Sequence, residues 1–234
     1  MQINNTTIPA GQRFKTRWFI IGTLLAIISG WVIYDLSRPA RASLREFDAR
    51  EVARLETAMW RSYYDKQRLV LFGQLAELLR KQYRLPFMQA NVVAYHAARA
   101  AFVFKAGKTR SESEQALPDL VKFYRAIQQA SSSTFDIEKA AKLELEWWII
   151  HREREQYSRT DLDRSLAELP AAIYQIPGEK FSEHAKLCAE ARLLRDTKAA
   201  QGGVTAEDWQ KIDELLQASW LSLWQTVNTK YTKN

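Results

Sequence analysis

The apolar and polar positions divide this chain into one uncharged segment near its start and a long amphipathic remainder. The segment from Trp18 to Tyr34 holds no charged residue and no proline. Its length approaches the roughly 20 residues that a helix needs to cross a bilayer. Trp18, Trp31 and Tyr34 lie near its two ends, where amphipathic rings favour the lipid headgroup zone. The pattern therefore predicts a transmembrane anchor.

This anchor defines the domain organisation of the chain. We predict four regions, which are a cytoplasmic tail (1–17), the transmembrane anchor (18–34), a charged juxtamembrane stalk helix (35–54) and an all-helical soluble domain (55–234). Three basic residues and no acid precede the anchor, and four arginines follow it, so the Lys/Arg counts of the two flanks are nearly balanced. Because long domains translocate largely regardless of charge, we expect the body on the outer, periplasmic or extracytoplasmic, side. A cleaved signal peptide is the alternative interpretation. Ala40 and Ala42 have the spacing that a signal peptidase reads, and cleavage after Ala42 would leave Ser43 first.

Beyond the anchor, apolar residues recur every three or four positions, which is the period of an amphipathic helix. Residues 43–83 are typical of one very long helix or of two helices with a break, and apolar density rises after Leu55. β-branched residues form no alternating runs, so no strands are predicted. Glycine and proline are scarce, which favours helix throughout. We predict an all-α body of about seven helices, either an irregular bundle or a short array of helical hairpins.

Several helix starts carry the spacing of a capping box, in which a hydroxyl residue is followed three positions later by an acidic one. The pairs that we assign to helix starts are Ser111 with Glu114, Ser133 with Asp136, Thr160 with Asp163, and Thr205 with Asp208.

The charge of the chain points to lipid. The formal net charge is +7. Residues 1–54 hold eight Lys/Arg against four Asp/Glu, so over half of the excess lies beside the anchor. Basic residues at that place favour anionic headgroups, whereas a nucleic-acid binder is expected to carry its basic stripe on the folded domain. We therefore expect the lipid bilayer as a partner and no nucleic acid.

Motifs for cofactor and metal chemistry are missing from the sequence. It contains no P-loop, no Gly-rich dinucleotide turn, no GxSxG and no HExxH. No Glu-x-x-His pair occurs, which argues against a dinuclear metal bundle. Cys188 is the only cysteine, and a lone thiol on a helix is typically a small buried apolar residue. We predict no cofactor and no metal.

A polar network is the remaining candidate for a ligand-binding site. His96 is flanked at helical spacing by apolar residues, which indicates burial. In the structural interpretation, His96 hydrogen-bonds to a carboxylate or tyrosine in the core. In the functional interpretation, it is a general base or a ligand-binding group. The residues of the predicted network are Glu56, Tyr63, His96, Arg99, Glu144 and His151.

Two further patterns suggest partners. Gly22, Ala26 and Gly30 recur every four residues in the anchor, a small-residue stripe that favours packing of a second copy and hence a homodimer. The possible surface for a protein partner consists of Trp209, Trp220 and Trp224, with core packing as the alternative.

Two functions of different classes fit these patterns. The first is a membrane-anchored interaction or scaffold module without catalytic activity, because helical hairpins commonly build surfaces for other proteins. The second is a membrane-tethered enzyme or small-ligand-binding bundle that uses the polar network, which requires its side chains to converge on a concave pocket.

Overall fold

The computed structural model describes residues 10–38 and 43–229, with side chains described from Arg17 onward. These residues form helices and no β-strand, which confirms the predicted all-α class. The chain divides into two compact units, residues 1–38 and residues 39–234.

The first unit contains one helix, α1 (Ala10–Ser37). Its segment Arg17–Ser37 has a mean hydropathy of 1.9 and is long and apolar enough to cross a membrane. Phe19, Leu25 and Trp31 point to three different sides of the helix, and all three side chains are exposed. Exposed apolar residues on all sides are typical of a membrane span, and a signal sequence has the same composition.

The second unit, which we call the body, contains nine α-helices and one short 3-10 helix within its described residues. The α-helices are α2 (Ala49–Tyr64), α3 (Arg68–Tyr83), α4 (Phe87–Ala106), α5 (Arg110–Glu114), α6 (Leu117–Ala130), α7 (Ile137–Arg152), α8 (Arg159–Tyr174), α9 (Ser182–Ala200) and α10 (Ala206–Asn228). The 3-10 helix, Gly178–Phe181, leads directly into α9.

Two breaks explain why the body has more helices than predicted. The first break is at Lys66, whose backbone is left-handed with φ of 59°, so that α2 and α3 are separate helices. The second break lies at residues 115–116 and separates the five-residue α5 from α6. Pro118 lies in the first turn of α6, where a backbone N–H would have no acceptor within the helix. The proline therefore costs α6 no helical hydrogen bond.

Capping boxes open three of the helices. The box Thr205–Asp208 at the start of α10 confirms the prediction. Two other boxes lie two residues earlier than predicted, at Thr109–Glu112 and Ser158–Asp161. In both places the sequence offers two overlapping hydroxyl–acid pairs, and spacing alone does not choose between them. The assignment of Ser133 was wrong, because Asp136 is itself the N-cap of α7 and accepts a hydrogen bond from the Lys139 backbone.

The helices of the body form a closed ring in chain order. Each of α2, α3, α4, α6, α7, α8, α9 and α10 packs against the next, and α10 packs back against α2. Arg45 stabilises the closure, since its guanidinium donates hydrogen bonds to the carbonyl of Val227 at 2.7 Å and to that of Tyr174 at 3.3 Å. A ring of this order brings residues from distant parts of the chain together at its interior.

The region predicted as a solvated stalk belongs in part to the core of the body. Leu44, Val52 and Ala53 are each at most 1% exposed. Asp48 caps α2 by accepting hydrogen bonds from the backbone of Arg50 at 2.9 Å and of Glu51. The core therefore begins at Leu44 rather than after residue 54. The charged residues of this segment that belong to α2 lie on the outer face of the helix, and its apolar residues face inward. The high density of charge in the sequence therefore led to the incorrect prediction that the segment lies outside the core.

Candidate functional site

A buried arginine, Arg192 on α9, lies among side chains from α2 and α7. Its guanidinium carbon is 4.7 Å from the ring centroid of Trp60 and 4.7 Å from that of Trp147. Its Nη1 donates to the Cys188 Sγ at 2.8 Å, and its Nη2 is 3.6 Å from the Glu56 carboxylate. Two aromatic faces and a carboxylate thus stabilise one cation in the interior.

Glu56 extends this cluster towards α10. Its Oε2 accepts a hydrogen bond from the Trp220 indole at 2.6 Å, and the Trp220 ring packs edge-on against His184. The His184 Nδ1 is 3.0 Å from the Ser219 carbonyl, and the Ser219 hydroxyl donates to the His184 carbonyl. Burial lowers the pKa of His184 to about 4 because the cationic form is poorly solvated there. His184 is therefore neutral at pH 7.

Glu144 on α7 interacts electrostatically with Arg192 and also has hydrogen-bond partners of its own. Its carboxylate accepts hydrogen bonds from the Tyr124 hydroxyl at 2.7 Å and from the Trp148 indole at 2.9 Å. Burial raises the pKa of Glu144, and these hydrogen bonds only partly oppose that effect. Both oxygens are already engaged by protein donors, which is typical of a group that fixes helix packing.

His96 and Arg99 on α4 meet a carboxylate that sequence analysis did not predict. Asp119 on α6 is 3% exposed. The Arg99 Nε is 3.1 Å from its Oδ2, whereas the His96 Nδ1 is 4.0 Å from its Oδ1, too far for a direct hydrogen bond. Burial lowers the pKa of His96 despite the nearby carboxylate. This cluster joins α4 to α6.

His151 lies at the end of α7 and faces α9. Its Nε2 is 3.2 Å from the Asp196 Oδ2, which is also 3.2 Å from the Arg154 Nη1. Burial would raise the pKa of Asp196, but hydrogen bonds from His151 and Arg195 reverse the effect and the pKa is lowered. Asp196 and Arg154 also line a shallow depression of the surface.

Tyr63, the last predicted network residue, is 43% exposed. Its ring packs edge-on against Tyr64 and lies 5.2 Å from the Lys105 ammonium. The six predicted residues therefore do not form the single network that the sequence suggests. The ring order separates them, because α3 lies between α2 and α4, and His96 on α4 faces α6 instead of Glu56.

The three predicted surface tryptophans also occupy different environments. Trp220 is partly buried against the core and bonded to Glu56, so it does not belong to a free surface. Trp209 is partly buried and packs against Tyr64, with the Arg61 guanidinium 5.2 Å from its ring. Trp224 is 39% exposed. Of the predicted set, only Trp224 meets the requirement for exposure.

The small-residue stripe lies on α1. At Gly22 and Gly30, apart from the adjacent residues and the backbone of the helix itself, no heavy atom lies within 4 Å of the position that a Cβ would occupy. This space leaves the stripe open to a second helix, and the homodimer stays a prediction. Among the described residues, no three His, Cys, Asp or Glu side chains are grouped so that they could hold a metal ion.

Comparison of the chain with protein-family models, with curated proteins and with solved structures gives no match.

Sequence reasoning missed Arg192 and Asp119, the two charged groups around which the interior clusters are built. Arg192 lies between Ala191 and Leu193 in a stretch rich in small and apolar residues. A single arginine on an apolar face is a signal of a buried cation. Asp119 follows Pro118 at a helix start, where an acidic residue is ordinarily solvated and interacts favourably with the helix dipole. Its burial therefore could not be predicted from its position in the sequence.

Proposed function

We propose that this chain is a single-pass membrane protein whose helical body is an interaction module without catalytic activity. One contrast carries the proposal. The carboxylates of Glu56 and Glu144 accept hydrogen bonds from protein donors, whereas large apolar side chains remain exposed on α1 and on the body.

The membrane part of the proposal is supported by the surface of α1. The apolar window of Arg17–Ser37 is only 6% buried. Exposure of a long apolar helix to water is unfavourable, at about 25 cal/mol for each square ångström. Lipid would remove that cost, and the tail inside with the body outside remains the orientation that we expect.

The interaction part is supported by an exposed apolar pair on α10. Leu221 is 43% exposed and Trp224 is 39% exposed. They are three residues apart and lie on one face of the helix. Tryptophan is enriched among the residues that contribute most to protein interfaces. The pair replaces the larger tryptophan surface that the sequence suggests.

The alternative function, a tethered enzyme or small-ligand binder, has less support. It requires the predicted polar residues to converge on a concave pocket. Glu56 and Glu144 both interact electrostatically with Arg192, whereas Arg99 pairs with Asp119 and His151 faces Asp196.

Site-specific photo-crosslinking tests the interaction surface. A photoreactive amino acid at Leu221 of the full chain, expressed in its membrane, is expected to give a discrete protein adduct. The change Trp224→Ala should lower the yield about ten-fold or more, since an interface tryptophan of this kind contributes about 2 kcal/mol. Lys142, an exposed residue of α7, is the control position for the probe. Equal adducts at the two positions, or a yield that is insensitive to Trp224, would contradict the proposal.

A further inference from the structure

The charge of the body is divided between one helical hairpin and the rest. Residues 66–108, which contain α3 and α4 and which we call the basic hairpin, hold eight Lys/Arg and one acidic residue, Glu77. The remaining residues of the body (39–65 and 109–234) hold 22 Lys/Arg against 25 Asp/Glu. The hairpin therefore carries a net +7 and the rest of the body a net −3.

The basic hairpin also exposes large apolar side chains. Leu69 at the start of α3 is 91% exposed, and Phe102 near the end of α4 is 72% exposed. On α4, Val92, Tyr95, Arg99 and Phe102 follow one another at intervals of three, four and three residues and so share one face. A leucine and a phenylalanine with this exposure are unfavourable in water.

The exposed residues at the two helix ends lie at the same end of the hairpin. α3 and α4 are consecutive, pack against each other and are joined by a short turn, so the start of α3 is opposite the end of α4. The Lys105 ammonium lies 5.2 Å from the ring of Tyr63, which precedes the turn into α3. We call this end the hairpin tip; its exposed basic residues are Lys66, Arg68, Lys105 and Lys108.

We propose that the hairpin tip binds the anionic lipid surface of the membrane in which the chain is anchored. Exposed apolar side chains bordered by Lys and Arg are typical of surfaces that lie in the headgroup zone. The apolar groups would enter the interface while the basic groups contact lipid phosphates. The inference rests on the proposed membrane anchor.

Charge complementarity and the anchor together favour lipid over other anions. Basic and aromatic residues also bind single-stranded nucleic acid. However, in the proposed anchored protein the chain itself tethers the body to a bilayer, which raises the effective concentration of lipid above that of other anions. Nucleic acid is therefore an outcome that the experiment must distinguish.

Depth-dependent fluorescence on the full chain in lipid nanodiscs tests the inference. An environment-sensitive fluorophore is attached to Phe102→Cys or to Leu69→Cys, with Lys142→Cys as the control. All three native side chains are exposed, so these changes spare the core, and buried Cys188, whose pKa is raised to about 11, contributes little background. In discs that contain phosphatidylglycerol, we expect spin-labelled lipid to quench the tip labels about two-fold more than the control label.

The charge dependence provides the second arm. Arg68→Glu combined with Lys108→Glu should abolish the extra quenching, and neutral phosphatidylcholine discs should give the same loss. Equal quenching at tip and control in anionic discs would overturn the inference while leaving the anchor intact. Charge-dependent binding of a single-stranded oligonucleotide without lipid quenching would reassign the tip to nucleic acid. Failure of the chain to enter the discs would overturn both the anchor and the inference.

Discussion

Arg192→Met is expected to lower the free energy of unfolding by about 3–5 kcal/mol. The change removes the cation between Trp60 and Trp147 and leaves the Glu56 carboxylate in the interior without its counter-charge. Glu56 keeps the hydrogen bond from Trp220, which does not replace a full positive charge. Methionine fills much of the space of arginine, so the loss reports on charge rather than on a cavity.

Urea unfolding of the detergent-solubilised chain, followed by circular dichroism at a helical wavelength, measures this effect. Arg125→Met on α6 is the matched control, because Arg125 is exposed. Adding Glu56→Gln to Arg192→Met should recover part of the lost stability, since glutamine removes the buried charge and still accepts from Trp220. A change within about 0.5 kcal/mol of the Arg125→Met control would contradict the assigned role of Arg192.

The body is expected to lose about 3 kcal/mol of stability through His184 between pH 6.5 and pH 4. Burial lowers the pKa of His184 to about 4, with Arg192 contributing further, whereas the unfolded chain protonates its histidine near pH 6.5. Above pH 6.5 both states are neutral and the contribution is complete. As the pH falls, the unfolded state binds a proton that the folded state does not, and stability decreases.

Unfolding curves at several pH values test this contribution in the wild type and in His184→Gln. Glutamine has no titration in this range and retains an amide that can donate to the Ser219 carbonyl. The variant should therefore show a pH dependence smaller by about 3 kcal/mol over the window. The two proteins are compared by the slope of the unfolding free energy against pH, because a loss of packing that is the same at every pH does not change this slope. Parallel profiles for the two proteins would show that His184 is not buried in its neutral form.

Periodicity was sufficient to predict the helices but not their arrangement. The three- and four-residue spacing of apolar positions predicts the all-α class and most helix regions, and the box Thr205–Asp208 marks a helix start. The ring closure depends on contacts between distant residues, such as Arg45 with Val227, which no local pattern contains. For the same reason the burial of Leu44 could not be recognised in a charged segment.

The burial and the partners of the candidate polar residues were only partly predictable. The apolar neighbours of His96 predict burial, but its side chain is 22% exposed and its nearest carboxylate is Asp119 rather than Glu56 or Glu144. Spacing along one helix determines which residues share a face, and the identity of the facing helix depends on the tertiary order. Counting charges over residues 1–54 and over the remainder likewise concealed the excess on the basic hairpin, because α3 and α4 were averaged with acidic helices.

These features combine into one physical account of the chain. An exposed apolar helix favours lipid, the apolar interior of the body contains a few clusters of polar and charged groups, and most of its exposed large apolar side chains lie on α10 and on the basic hairpin. The interior clusters at Arg192 and Glu144 stabilise the ring, which holds those outer surfaces in a fixed arrangement.

Alkaline carbonate extraction of membranes from expressing cells, with the mass of the recovered chain, tests the central claim that α1 is retained as a membrane anchor. The account predicts that the chain stays with the membrane pellet and that its mass includes Arg17–Ser37. Recovery of the body in the soluble fraction as a chain that begins at Ser43 would contradict it, and would identify the apolar segment as a cleaved signal.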